Sequence, residues 1–377
     1  ARPDSIAAMT CTNKAAAEMR ERLELLVGSA GDLVVAGTFH SLWLRWLARF
    51  GDAIGVPTRL QLIDSAQRRD LLEDAVIEAA AAGSIPASRL AAGGPGDAAE
   101  RAWGWINRLR TGAVFADDAA DLAERWRGLI ESPPDGWDAE KLEAERARLA
   151  EFGDAVEVYG RFEKSCAARG LATFDDYILL PIRILRESAD AAAIIRDEVR
   201  HVVVDEYQDV NGAQLELLRL LAPPTRSPDL CVVGDDDQAI YGFRGSDTRA
   251  FEHFANIWTD STTITLDANY RSTPAILDGS QRIIAKAETR FVAEKALEAH
   301  GDRACEASPT VALHAPQGTS PRGVIAPMIL ADLAAFDLRY DSLPAIAITP
   351  RKLEQIAAPP APPRLPVPRA PPTRPLP

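Results

Sequence analysis

The chain has 377 residues, room for two or three domains at roughly 100–200 residues each. Hydrophobic residues make up 47% and charged residues 26%, which provides for a packed core and excludes global disorder. A net charge of -13 argues against a polybasic nucleic-acid binder, although a local groove can be basic on an acidic protein. Cys11, Cys166, Cys231 and Cys305 lie far apart with no Cys-x-x-Cys pair, which excludes a disulfide framework and a zinc ribbon and suits the reducing cytoplasm. No 18-residue apolar run is present, so no membrane span or membrane partner is expected. No signal-peptide pattern opens the chain. Because it begins at Ala1 just ahead of a strand-like run, its true N-terminus is expected to lie upstream.

In chain order, Ser5–Met9 reads as a short strand and Thr10–Lys14 as a polar loop. Ala15–Leu26 carries Met19, Leu23 and Leu26 at helical spacing. Leu33–Ala36 reads as a second strand, with Gly37 and Thr38 turning out of it into a helix over Ser41–Phe50. From about Leu62 to Gly170 the texture changes to a helical stretch rich in Ala, Arg and Glu, read as an all-helical insertion. The α/β texture returns near Ala172, with a helix at Phe174–Leu185. Two continuous apolar runs follow, His201–Val204 and Leu230–Val233, with a third strand expected at Ile264–Leu266. Unbroken runs of this kind suit a parallel sheet covered on both faces. Residues 357–377 are about half proline with three arginines and no acid, a composition for an extended tail.

Chemistry concentrates at the ends of these strands. In Val202–Asp209 a buried strand delivers Asp205 to the sheet edge, where its carboxylate can meet a hard Mg²⁺ ion through water. Glu206 can orient and deprotonate an attacking water. The plain alternative is a solvated acidic turn. In Val232–Gly245, Gln238 is a neutral hydrogen-bonder just past a strand and can touch a reacting phosphate. Tyr241, Phe243 and Arg244 mix rings and a cation beside glycines, as base stacking with phosphate binding requires; a hairpin with buried aromatics is the alternative. In Leu266–Thr273, Arg271 can reach a γ-phosphate and Tyr270 can stack on a purine, against an ordinary strand-to-helix junction. Trp103 and Trp105 read as helix packing rather than a base platform. The five histidines are scattered and give no metal-ligand set.

These segments, with Thr10–Arg20 and Gly37–Leu42, resemble the ordered motifs of UvrD/Rep-type superfamily 1 DNA helicases over roughly Ile6 to Ile284. The resemblance implies an ATP-dependent helicase or translocase on single-stranded and partly duplex DNA, moving 3′ to 5′, with repair or recombination proteins as possible partners and ATP and Mg²⁺ as cofactors. It implies an α/β fold with a RecA-like parallel-sheet motor domain: residues 1–63 with 172–278 as the first motor domain, 64–171 as its helical insertion, 279–356 as the start of a second motor domain, and 357–377 as a Pro-rich tail. Thr12, Asn13 and Lys14, with Thr38, Phe39 and His40, would line the DNA track, joined by Tyr241, Phe243 and Arg244. Asp205 would be the Mg²⁺ partner and Glu206 the catalytic base. Gln238 would couple the γ-phosphate to the DNA site, Tyr270 would contact the nucleotide and Arg271 would sense the γ-phosphate. Three departures stand out. No Gly is followed by Lys, so the phosphate-binding loop Gly-x-x-x-x-Gly-Lys-Thr/Ser is missing from these residues. The late motifs are missing as well, and Cys11 stands where relatives often carry a base-stacking phenylalanine. A truncated or degenerate DNA-binding module without ATPase activity is the competing expectation.

Overall fold

The computed structural model describes residues 2–57, 60–90, 93–226, 229–239, 249–287 and 290–305. Tyr241, Phe243 and Arg244, the stretch from 306 to 356 and the Pro-rich tail lie outside the described residues. The chain divides into two compact units. The first holds the described residues up to Asp267 together with 282–296; the second holds 268–281 with those from Leu297 onward.

The first unit opens with β1 (Ile6–Thr10), α1 (Asn13–Val27), β2 (Val35–Thr38) and α2 (Phe39–Phe50). Thr12 caps α1 by accepting the Ala15 N–H at 3.1 Å. Thr38 caps α2 in a reciprocal box with Ser41, so both helices start immediately beyond the strands that feed them. β2 begins two residues later than the apolar run predicts, and runs through Gly37 and Thr38 instead of turning there. Leu33 ends a 3-10 stretch, and the pairing of Thr10 with Thr38 fixes the register.

The chain then leaves the sheet. Two short parallel strands, β3 (Gln61–Leu62) and β4 (Leu171–Ala172), pair with each other and bracket α3 (Ser65–Ala81), α4 (Gly94–Thr111), α5 (Ala116–Glu131) and α6 (Ala139–Arg169). These helices share their own core of small and aromatic residues, among them Ala79, Ile106, Ala119, Tyr159 and Phe162. The strand pair at the neck is a departure from a purely helical segment. Trp103 lies edge-on to Phe162, and Trp105 lies edge-on to Trp126 and Phe152, which makes both tryptophans packing residues.

The return path is α7 (Asp176–Glu187), α8 (Ala189–Glu198), β5 (His201–Val204), α9 (Gly212–Leu221) and β6 (Asp229–Val232). The sheet order is β2-β1-β5-β6, parallel throughout. Its core buries Met9, Trp43, Trp46, Ile182, Val202, Val204 and Leu217 among others. Parallel strands need such cover on both faces, and α2 and α7 to α9 contribute it. α10 (Ala250–Ile257) follows, with the Trp258 indole donating to Ala222 O at 2.9 Å.

The third strand expected at Ile264–Leu266 is not formed. Among the described residues that stretch has no ladder partner, and Ile264 and Leu266 are 78% and 74% exposed, so local β-propensity alone makes no strand there. In the second unit, β7 (Ala268–Asn269) pairs in parallel with β8 (Glu298–Ala299), and α11 (Pro274–Ile284) lies between them in the sequence.

Candidate functional site

The four strands of the sheet are in register: Thr10 lies beside Thr38, Met9 beside Val204, and Val204 beside Val232. Everything that follows a strand therefore emerges at one edge. That edge carries Thr12, Asn13 and Lys14 after β1, Thr38 at the end of β2 with Phe39 and His40 beyond it, Asp205 and Glu206 after β5, and Gln238 after β6. The carboxyl edge is where open α/β sheets bind ligands.

The β5 exit is pinned from both sides. The Asp205 N–H donates to Met9 O at 2.8 Å, and the Val233 N–H donates to Val204 O at 2.8 Å. Asp205 spends one carboxylate oxygen on the Glu206 N–H at 3.0 Å. Glu206 sits at φ 53°, ψ 45°, a left-handed conformation that costs a non-glycine residue about 1–3 kcal/mol. That conformation turns the chain at once, so the Tyr207 N–H can reach Val233 O at 3.0 Å while the Glu206 side chain stays exposed.

From Glu206 a run of hydrogen bonds crosses the edge. Gln208 Nε2 donates to Glu206 Oε2 at 2.6 Å. Gln208 Oε1 accepts the Asp235 N–H at 3.0 Å. Gln238 Nε2 donates to Asp235 Oδ2 at 2.7 Å. The run joins Glu206 to Gln238, which are 32 positions apart, through a buried glutamine. Gly234 makes the crossing possible. A Cβ there would stand 2.3 Å from Gln208 Oε1 and 2.9 Å from the Tyr207 nitrogen, so only glycine allows the approach. Gln208 and Gly234 were not singled out from the sequence. Gln208 stands inside the Val202–Asp209 motif, but its partner Asp235 lies 27 residues on, and sequence order carries no sign of that pairing.

The β1 and β2 exits look different. Asn13 and Lys14 are exposed on the first turn of α1, Lys14 within 3.8 Å of Glu18. The Phe39 ring is 1% exposed and belongs to the sheet core. His40 is stacked on Phe174 with ring centroids 4.0 Å apart. Burial pushes the His40 imidazole down to about 4, so it is neutral at neutral pH. Phe174 is itself 59% exposed, a second functional candidate that the sequence reading did not select. Cys11 donates its thiol to Glu206 O at 3.9 Å. Burial, then the nearby Asp209, Glu206 and Asp205 carboxylates, push its pKa up to about 12, so it stays a neutral thiol.

Two acidic groups compete as cation partners. Asp235, Asp236 and Asp237 bring carboxylate oxygens within 4.8 Å of one another. The Lys295 ammonium already sits among them, ion-paired with Asp235 and lying 3.0 Å from Asp236 and 2.9 Å from Asp237. Arg290 grips Asp237 with two hydrogen bonds of 2.9 and 2.8 Å. Asp205 is partly exposed and carries no cationic partner among the described residues, so it is the carboxylate that fits a hydrated Mg²⁺. Tyr270 and Arg271 belong to the second unit. They lie on the turn after β7, where Asn269 Oδ1 accepts the Arg271 N–H at 3.0 Å and the Ser272 N–H at 2.8 Å. Both side chains are exposed, with the Tyr270 ring 5.8 Å from His300.

With this geometry in hand, the chain was compared with known proteins. Residues 1–258 match the family model described as the UvrD/REP helicase N-terminal domain. The chain is 29% identical over 282 residues to the ATP-dependent DNA helicase PcrA of Staphylococcus aureus (strain Mu50), and equally to that of Staphylococcus epidermidis (strain RP62A). The match covers 75% of this chain and 34% of each relative, so the chain spans about a third of the length of the curated relatives it matches. Among the described residues, no helix is long and apolar enough to cross a membrane.

Proposed function

Because the chain belongs to the UvrD/REP helicase family, we propose that it carries the first motor domain of an ATP-dependent helicase or translocase acting on single-stranded DNA. The β2-β1-β5-β6 sheet is then the RecA-like core, made from residues 1–63 and 172–278. Residues 64–171 form its helical insertion, and those from 279 open a second motor domain. Movement is 3′ to 5′, and the pathway is repair or recombination.

The observation that carries this reading is the hydrogen-bonded run from Glu206 through Gln208 and Asp235 to Gln238. It couples a candidate base to a candidate phosphate sensor at the edge where a ligand is expected. Asp205 would hold the nucleotide's Mg²⁺, which would supply charge neutralisation at the phosphates when bound. Glu206 takes a proton from the attacking water on Oε1, since Gln208 occupies Oε2. Gln238 orients toward the terminal phosphate and changes its hydrogen bonds when that phosphate leaves. The resemblance gives Arg271 the sensing of a γ-phosphate and Tyr270 a contact with the nucleotide. Thr12, Asn13, Lys14, Thr38 and His40 hold single-stranded DNA at the β1 and β2 exits. Phe39 contributes main chain only, because its ring is in the core. Tyr241, Phe243 and Arg244 keep the stacking roles that the resemblance gives them.

The test is DNA-stimulated phosphate release from the full reading frame that contains these residues. Glu206→Gln should lower turnover by about 10²–10⁴, the usual scale for a lost general base, and leave nucleotide binding intact. Near-normal turnover in the variant would remove Glu206 as the base. The competing reading is a DNA-binding module without hydrolysis. Single-strand binding with no phosphate release from the unaltered protein would select it.

A further inference from the structure

The triple-aspartate turn after β6 is held by a segment that no motif reading used. Residues 290–295 place two cations and one backbone amide on three consecutive carboxylates. Arg290 takes Asp237 with both Nε and Nη2. Lys295 contacts all three acids. The Phe291 N–H donates to Asp236 Oδ2 at 2.7 Å, and the Phe291 ring stacks 5.6 Å from that of Phe251 on α10. Arg290 is fixed in turn through the carbonyl of Ala293 at 3.0 Å. Both cations are shielded, with side-chain exposures of 11% and 13%, so these are not loose surface pairs. Burial works against the Lys295 charge, yet the three aspartates outweigh it and hold the ammonium well above its ordinary range. Burial works against the Asp237 charge too, and the Arg290 and Lys295 hydrogen bonds hold that carboxyl below its usual range.

The turn they hold is also the hub of the hydrogen-bonded run. Asp235 accepts from Gln238 Nε2 on Oδ2 and pairs with Lys295 through Oδ1, while its N–H fixes Gln208. Without the cations, three adjacent carboxylates would repel one another, and the turn would open toward water.

We propose that Arg290 and Lys295 are positioning residues for the candidate phosphate sensor and base: by clamping Asp235, Asp236 and Asp237 they fix the orientation of Gln238 and, through Gln208, of Glu206. The assignment of Glu206 and Gln238 rests on the function proposed above. The clamp itself is a statement about geometry and is tested without nucleotide. A residue that only filled space beside the turn would stabilise it without orienting either glutamine.

The experiment follows the side-chain amide signals of Gln208 and Gln238 in the ¹⁵N-glutamine-labelled full chain, identified by their loss in Gln208→Asn and Gln238→Asn. In Lys295→Met, both signals should shift and their exchange with solvent should rise about tenfold, the scale of one net hydrogen bond. Lys295→Arg should restore both. Arg290→Met should move the Gln238 signal more than the Gln208 signal, since it releases Asp237 and not Asp235. If Lys295→Met does not fold, Lys295→Gln, which keeps a polar chain and removes the charge, serves in its place and should move the same two signals together. Movement of Gln238 alone, or of neither glutamine, overturns the proposal. If both glutamines move but Glu206→Gln retains turnover, the clamp stands and the catalytic reading falls.

Discussion

The two edges of the sheet are both charged, and they are built to opposite ends. At the amino edge, Arg2, Asp4, Arg45, Trp46, Arg49 and Glu198 surround an open cavity of about 410 Å³. Its charges are settled locally: Arg49 pairs with Glu198, the Trp46 indole donates to the same carboxylate at 3.2 Å, Arg45 lies 4.5 Å over the Trp46 ring, and Arg2 lies 3.5 Å from Asp4. The carboxyl edge keeps polar groups turned outward: Glu206 in a strained conformation, Asp205 with an uncommitted oxygen, and the exposed Phe174 ring stacked on His40. A cavity marks the first edge and chemistry marks the second. The lesson is that a site is marked by groups held at a cost and left open. The amino-edge charges answer one another.

The largest effect that separates the edges should come from the aromatic stack. Phe174 is exposed and rests on a neutral His40, so it can offer a face to a base. Base–aromatic stacking contributes about 1–3 kcal/mol, so Phe174→Ala should weaken single-strand binding roughly 5- to 150-fold with little change in melting temperature. Fluorescence anisotropy with a poly-dT oligonucleotide reads the first quantity and thermal melts read the second. A large loss of stability with unchanged affinity would make the pair a piece of packing, as Trp105 is in the helical core.

A smaller effect concerns pH. His40 titrates near 6.5 in the unfolded chain and near 4 in the folded one, because burial disfavours the imidazolium. Between those values the unfolded state binds more protons, so stability is full above about 6.5 and falls as the solution is acidified toward 4. The ring retains some solvent access, which brings the loss to about 1–2 kcal/mol rather than the value the whole shift implies. Urea melts across that window should show the slope, and His40→Phe should flatten it while keeping the stack. A slope unchanged in His40→Phe would place the acid sensitivity elsewhere.

How much of this was readable in the sequence differs between the two levels. The strands at β1 and β5 were legible because a strand inside a parallel sheet is a largely apolar run, and Val202 to Val204 is nothing else; β6 starts at the exposed Asp229 and is a strand by its pairing with β5. Ile264 to Leu266 is also rich in strand-favouring residues, though Thr265 interrupts it, and it forms no strand, because pairing depends on a neighbour that composition does not name. The position of Asp205, Glu206 and Gln238 just past strand ends was legible along with the strands. Gln208, Gly234, Arg290 and Lys295 were not. Their roles rest on contacts made across 27 to 60 positions, and each residue type is common in surface loops. Phe39 and Phe174 show the converse: the first stands inside a motif and the second outside every motif, and only packing decides that the first is core and the second exposed.

The smallest effect tests the amino edge itself. Burial alone would raise the Glu198 carboxyl, but its hydrogen bonds from Arg49 and Trp46 outweigh that and hold it below the usual glutamate range. Its contribution is therefore present above the ordinary glutamate pKa and is lost as pH falls through the lowered one. The Arg49 side chain is half exposed, so the ion pair should contribute about 0–1 kcal/mol and fade with salt. Glu198→Gln removes the charge and keeps an acceptor for the Trp46 indole, so its cost should stay within that range. Glu198→Ala also leaves the indole N–H unpaired and should cost about 1–3 kcal/mol. Neither change should alter single-strand affinity once the fraction folded is accounted for, since the nearest DNA-track candidates stand at the opposite ends of β1 and β2. If Glu198→Gln lowers affinity more than about fivefold, a loss of roughly 1 kcal/mol by the affinity relation, the amino edge belongs to the binding surface and the contrast between the two edges fails.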